Sequence, residues 1–226
     1  MSILEFIFPK KCLDCGVSGD YLCENCLKKT WFSPKVCIEC ERASVDGMTH
    51  QKCRQPLGMN GAASIWVYEG VVRKAILKLK YKFTLEIVKE LASYVLGELK
   101  KKEFVFGKNP ILVPIPLSRQ RGNWRGFNQA EEMGKLIAKG MDWEFFPHLL
   151  LRKKTVKPQT ELEGKERLEN VRNVFSLNPN YKLQITGYQS LILFDDVLTT
   201  GATLKEAAKV LKRGGAKTVW GLTIAR

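Results

Sequence analysis

The chain has 226 residues, 45% of them hydrophobic and 27% charged, proportions that suit a soluble globular domain with a small appendage. No apolar run approaches the roughly 20 residues a membrane helix needs, so no membrane insertion is expected. The net charge of +14 is concentrated after residue 60, where 29 basic side chains face 16 acidic ones. That excess suits a phosphate-rich partner, either a sugar phosphate or a nucleic acid, and equally a well-solvated lysine-rich surface.

The opening run Ile3 to Phe8 is too short for a secretory core, contains Glu5, and is followed instead of preceded by Lys10 and Lys11. A cytoplasmic location is therefore expected. All seven cysteines then fall between residues 12 and 53. They form Cys12-x-x-Cys15, Cys23-x-x-Cys26 and Cys37-x-x-Cys40, and His50-x-x-Cys53 completes the series. A two-residue spacer lets one turn present both ligands to a tetrahedral ion, so eight ligands make two structural Zn²⁺ sites, one Cys₄ and one Cys₃His. Disulfides fit poorly with an odd cysteine count in a cytosolic chain, and one dithiol redox centre needs far fewer cysteines. Sequential pairing (Cys12, Cys15, Cys23, Cys26, then Cys37, Cys40, His50, Cys53) is favoured over a cross-braced arrangement, because residues 16–22 make a knuckle able to fold back alone. A segment this small has little core of its own and folds around metal. The expected division is a zinc-binding module over 1–58 and an α/β domain over 59–226.

Residues 62–68 read as a strand. Val71, Val72, Ala75, Ile76 and Leu79 follow at helical spacing, with Lys78, Lys80 and Lys82 mainly on other faces. Residues 84–102 form the clearest helix, with Leu85, Val88, Leu91, Ala92, Val95 and Leu99 as one stripe. Both stripes are most simply core packing, while the basic residues of the first helix could help hold phosphate beside a ligand site. Ile111 to Pro116 is a buried strand running into a basic loop that carries Arg119, Arg121, Trp124 and Arg125. Asn128 and Glu131 make a capping box for a helix lasting to Gly140. Arginine forks meet phosphate oxygens bidentately; the plainer reading is a solvated basic loop. A strand-like Leu149 to Leu151 precedes a polar stretch, Arg152 to Arg172, of the length usually found in functional loops.

The chemistry is densest from Ser190 to Lys205. Leu191 to Phe194 make a strand with no polar alternation, as inside a parallel sheet. Asp195 and Asp196 close it, Val197 and Leu198 follow, and Thr199-Thr200-Gly201-Ala202-Thr203 leads into a helix ended by Gly214 and Gly215. Backbone N–H groups of such a loop at a helix N-terminus cradle an anion. The adjacent carboxylates accept hydrogen bonds from vicinal sugar hydroxyls or help to hold hydrated Mg²⁺. A ribose 5-phosphate satisfies both halves. The competing view makes Thr203 and Glu206 a capping box and the two Asp a strand end. A last strand covers Thr218 to Ile224.

Four apolar residues, two acids and a T-x-G-x-T-like loop resemble the phosphoribosyl pyrophosphate (PRPP) signature of type I phosphoribosyltransferases. With the N-terminal cysteines, the Y-E-G and L-K-L-K-Y pieces, and R-G-F-N-Q at Arg125 to Gln129, nearly the whole chain resembles the ComF (ComFC-like) competence family. His50 in place of a fourth cysteine departs from the commoner pattern. The resemblance implies a type I phosphoribosyltransferase fold, an α/β architecture whose mostly parallel sheet is flanked by helices. It implies PRPP bound with Mg²⁺ along the run Asp195, Asp196, Val197, Leu198, Thr199, Thr200, Gly201, Ala202 and Thr203, with Asp195 and Asp196 on the ribose hydroxyls and residues 199–203 on the 5-phosphate. Arg119, Arg121 and Arg125 would meet pyrophosphate, and Arg167, in the R-x-x-N piece ending at Asn170, would close over it. It also implies a role in natural transformation, and hence an alternative: a non-catalytic protein that handles single-stranded DNA alongside an ATP-dependent helicase-like partner. Any hood that chooses an acceptor is expected from residues before about 105.

Overall fold

A computed structural model describes residues 9–81, 85–101, 106–107, 109–117, 127–153, 174–181 and 190–226. Its centre is a five-stranded sheet of β1 (Gly61–Trp66), β2 (Ile111–Pro114), β3 (Glu144–Phe145), β4 (Ser190–Val197) and β5 (Thr218–Ala225), in the spatial order β1-β5-β4-β2-β3. Every pairing in it is parallel. The helices are α1 (Glu24–Lys28), α2 (Gly70–Tyr81), α3 (Leu85–Lys101), α4 (Gln129–Met141) and α5 (Ala202–Arg213). The expected mostly parallel sheet flanked by helices is thus what forms.

The buried strands explain themselves by period. On β4, Ile192 and Phe194 enter one apolar cluster with Val88, Leu91 and Val95 of α3 and Met133 and Ile137 of α4. Leu191 and Leu193 enter the other, with Leu204, Ala207, Ala208 and Leu211 of α5. Alternate residues therefore face opposite layers, and because both layers are covered the strand is apolar throughout. Gly134 lets α4 approach the sheet closely: a Cβ there would lie 2.9 Å from Leu112 Cδ2.

One detail adds to the sequence expectation, and another bears on the competing view of the threonine loop. The strand near residue 150 runs Leu150–Arg152 and does not join the parallel sheet. It pairs antiparallel with Phe175–Leu177, a strand not anticipated, and the Lys153 N–H donates to the Val174 carbonyl at 2.7 Å. The chain thus leaves for residues 154–173 and returns at one place. In addition, α5 begins at Ala202 with Gly201 as its N-cap, so Thr203 lies inside the first turn and is not the cap of a capping box.

The cysteine-rich segment runs along the outer edge of β1, with Met48 bridging Gly61 at the start of the strand and the Thr49 amide donating to the Asn60 carbonyl at 2.8 Å. Phe32 forms an antiparallel bridge to Trp66 at the end of β1, and the Ser33 and Val67 amides exchange bonds with the Ile65 and Trp31 carbonyls. This covers the outer edge of β1, which would otherwise present unpaired backbone groups. Leu22 is fully buried in the α2–α3 layer, with its amide donating to Glu90 Oε2 at 3.0 Å and its carbonyl accepting from Tyr94 Oη at 3.0 Å. Among the described residues no helix is long and apolar enough to cross a membrane.

Candidate functional site

The strand order locates a crevice. From β2 the chain continues outward to β3, whereas from β4 it turns the opposite way to β5, so connections diverge between β2 and β4. The two following helices lie on opposite faces of the sheet, α4 in one apolar layer and α5 in the other. Open α/β sheets bind ligands outside the carboxyl ends of strands at such a switch point. A cleft of about 310 Å³ lies there, lined by Ile115 to Leu117 after β2, Asn128 at the N-cap of α4, Gln129 and Ala130 in its first turn, Asp195 and Asp196 at the end of β4, Thr203, Lys80 and Arg152.

The acidic pair sits in the last residues of β4, where Asp195 is in register with Thr223 of β5. Asp195 Oδ1 accepts from the Asp196 amide at 2.8 Å, which folds its carboxylate back over the strand end. Burial and the neighbouring Asp196 charge push Asp195 up to about 7, against the pull of Lys80 and Arg152. Lys80 Nζ reaches Asp196 Oδ2 at 3.0 Å. Arg152 donates to the Pro116 carbonyl at 3.4 Å and lies over the Phe175 ring, 5.4 Å from its centroid. Two carboxylates and two cations therefore line one opening.

Beyond Val197, the Leu198 side chain is buried and its amide donates to the Ala225 carbonyl at 2.9 Å. Thr199 and Thr200 are exposed, and Gly201 takes a left-handed conformation with φ of 72° that turns the chain into α5. The first-turn amides of α5 lack intrahelical partners by construction and suit an anion. Among them the Ala202 amide makes a long contact to Thr200 Oγ1 at 3.4 Å.

Asn128 and Gln129 act as staples. Asn128 Oδ1 caps α4 by accepting from the Ala130 amide, while its Nδ2 donates to the Ile115 carbonyl, at 3.1 Å each. Gln129 Nε2 donates to the Leu79 carbonyl at 3.3 Å. The two residues thus tie the end of β2, the end of α2 and the start of α4 around the cleft. Arg119, Arg121, Arg125 and Arg167 lie outside the described residues.

Two sequence-remote cations complete the cleft: Lys80, which the sequence offers only as part of a basic helix able to help hold phosphate, and Arg152, which it does not offer as a site residue. Lys80 left a faint signal: it stands four residues after buried Ile76, on the inward face of a helix where a charge needs a partner. Arg152 left none, because its place depends on the β-ribbon with Phe175.

The cysteines and His50 gather into two clusters, Cys12, Cys15, Cys23 and Cys26 in one and Cys37, Cys40, His50 and Cys53 in the other, with the ligand atoms of each all within 4.8 Å of one another. This is the sequential pairing. Cys15 and Cys23 Sγ are 3.6 Å apart, close to the roughly 3.8 Å edge of a tetrahedron built on 2.3 Å metal–sulfur bonds. In the second cluster His50 Nδ1 stands 3.3 Å from Cys40 Sγ, and its Nε2 lies 3.0 Å from the Ala43 carbonyl. A backbone acceptor on the far nitrogen selects the tautomer that leaves Nδ1 free to ligate, an arrangement common to metal-binding histidines. Both clusters are thus able to hold a metal ion.

A scan against protein-family profiles finds no match. Among characterised proteins the chain is 31% identical over 220 residues to Competence protein ComFC of Streptococcus pneumoniae, covering 95% of this chain and 87% of that protein. It is 30% identical over 219 residues to Competence protein ComFC of Bacillus subtilis, covering 91% and 83%. It is 25% identical over 204 residues to DNA utilization protein YhgH of Escherichia coli, covering 88% and 87%. Among solved structures it is similar to a glutamine PRPP amidotransferase from B. subtilis, with a TM-score of 0.41 and 13% identity over 65% of this chain and 30% of that one. An adenine phosphoribosyltransferase from Leishmania donovani gives a TM-score of 0.36 and 16% identity over 65% and 55%. Near-full-length identity at this level to two ComFC proteins, on a chain that gathers its cysteines into two clusters and its acidic pair at the sheet's switch point, places it in the ComFC family of competence proteins.

Proposed function

We propose that the chain is a phosphoribosyltransferase-type protein that binds PRPP with Mg²⁺ in the β2–β4 cleft, and that both cysteine-rich clusters hold structural zinc. The observation that carries this reading is the placement of Asp195 and Asp196 in one cleft with Thr203, Lys80 and Arg152. Vicinal ribose hydroxyls donate to the two carboxylates. The 5-phosphate accepts from the amides and hydroxyls of residues 199–203, and the pyrophosphate faces Lys80 and Arg152. The hard oxygen donors of Asp195 and Asp196 suit a hydrated Mg²⁺, which when bound neutralises pyrophosphate charge. As the C1–O bond to pyrophosphate breaks and an acceptor nucleophile bonds to C1, the sugar gains oxocarbenium character, and the carboxylates stabilise the developing positive charge from a site made costly for them in advance by burial. Most of this catalysis is positioning, and no covalent nucleophile is required of the protein.

The test is calorimetric titration of PRPP with Mg²⁺ into the zinc-loaded protein and into the Asp195→Asn/Asp196→Asn variant. Micromolar binding lost in the variant supports the reading; absence of binding to the wild-type protein overturns it.

A second reading has its own support. The names of the relatives, competence and DNA utilization, and the 75% exposed Trp31 beside Phe32 between the two clusters suit single-stranded DNA whose bases stack on aromatic faces. In that role the chain works with a helicase-like partner. Binding that falls steeply with salt and weakens in Trp31→Ala, with PRPP absent, distinguishes it.

A further inference from the structure

We propose that the second cysteine–histidine cluster positions the phosphate loop: Ile38 and Glu39, the two residues between Cys37 and Cys40, hold Gly201 and the first turn of α5 in place. This rests on residues 199–203 being the phosphate cradle.

The contacts are direct. Ile38 is buried, 4% exposed, and enters the apolar cluster of Leu198, Leu204 and Ala208, which brackets the loop on both sides. Gly201 is pressed against it so closely that a Cβ would lie 3.1 Å from Ile38 Cγ1 and 3.2 Å from Cδ1. Glu39 Oε2 meets Lys205 Nζ at 3.2 Å with both side chains about three-quarters buried, and the Lys205 amide donates to the Gly201 carbonyl at 2.8 Å. The knuckle therefore grips the loop at its turn and at its first helical residues.

The geometry of that grip is set by the metal ligands. Cys37, next to Ile38, is fully buried; its amide donates to the Arg42 carbonyl and its carbonyl accepts from the Glu41 amide, at 2.9 and 2.8 Å. A two-residue turn clamped at both ends by cysteines has few conformations left, so the position of Ile38 follows from the cluster. The first cluster is placed differently. Its anchor, Leu22, packs on α2 and α3, on the layer opposite α5. An anion site gains affinity when its donors are fixed before the ligand arrives.

The experiment is amide hydrogen exchange over residues 198–205 of the zinc-loaded, ligand-free protein, with zinc content and PRPP–Mg²⁺ titration measured on the same samples. Ile38→Ala and Glu39→Gln are compared with Ile38→Val and with Tyr94→Phe, which loosens the first cluster's anchor instead. The expected result is exchange about tenfold faster across the loop and PRPP affinity about tenfold weaker in Ile38→Ala, a smaller effect in the same direction in Glu39→Gln, and retention of both zinc ions. Ile38→Val restores both readouts, and Tyr94→Phe moves neither. Loop exchange unchanged in Ile38→Ala and Glu39→Gln, or accelerated as much by Tyr94→Phe, overturns the proposal while wild-type PRPP binding stands. Failure of the wild-type protein to bind PRPP overturns instead the sugar-phosphate reading on which it rests.

Discussion

Lys80 Nζ lies 3.0 Å from Asp196 Oδ2, joining the last turn of α2 to the end of the central strand across the mouth of the cleft. Both side chains are about four-fifths buried, so the pair is screened less than a surface ion pair and bears directly on the charge of the acidic site. Lys80→Met is expected to leave the fold intact and to weaken PRPP–Mg²⁺ binding by about tenfold, an amount typical of one charge-assisted contact. Calorimetric titration reads the loss, and a salt series separates it from a general charge effect.

Asp195 carries a pH dependence with a definite sign. Its folded-state value, about 7, stands above the ordinary 3.8, because burial and the Asp196 charge disfavour the ionised form. A group raised in this way favours folding most when protonated, so its contribution is fully present below about pH 4 and is lost as pH rises through 7. The ligand-free protein should therefore lose melting temperature over that window relative to Asp195→Asn, which removes the slope. In the proposed complex the ribose hydroxyls donate to the ionised form, so PRPP affinity should strengthen over the same window. Thermal scans and titrations from about pH 4 to about pH 8 check both signs; parallel melting curves for the two proteins would refute the assignment.

The Glu90 carboxylate, raised above its ordinary range chiefly by burial, holds the first cysteine-rich hairpin by accepting from the Leu22 amide at 3.0 Å. Glu90→Gln keeps an acceptor and sheds the charge, and should be neutral or slightly stabilising. Glu90→Ala leaves the Leu22 amide without that acceptor and should cost about 1–3 kcal/mol. Chemical denaturation of the zinc-loaded variants measures the difference.

Metal removal should act on the two clusters together but with separable consequences. Elemental analysis is expected to return two zinc ions per chain, one for each cluster. Cys15→Ser should weaken the first and Cys53→Ser the second, leaving one tightly bound ion in each variant. Chelation should unfold the segment around residues 9–56 and lower the melting temperature, because the ligands supply most of what holds so short a stretch together. A full zinc complement in either serine variant would count against the four-ligand sets.

Features that depend on a short stretch of chain are legible in the sequence itself. The paired cysteines announced the clusters because a two-residue spacer is a local turn property. The stripe from Val88 to Leu99 announced α3 because its period is local as well. Asp195, Asp196 and the loop to Thr203 were legible as one unit, since strand end, acidic pair, turn and helix start follow one another without interruption. Tertiary structure alone decided what meets that unit. Lys80 and Arg152 reach the cleft from other elements, Leu150–Arg152 leaves the parallel sheet for a ribbon with Phe175–Leu177, and Ile38 comes to rest under Gly201. Spacing and periodicity record what a segment does with its own neighbours. Which distant side chain faces an acid or a glycine is set by the strand order and by the layer each helix covers, and neither is written in any one stretch of the sequence.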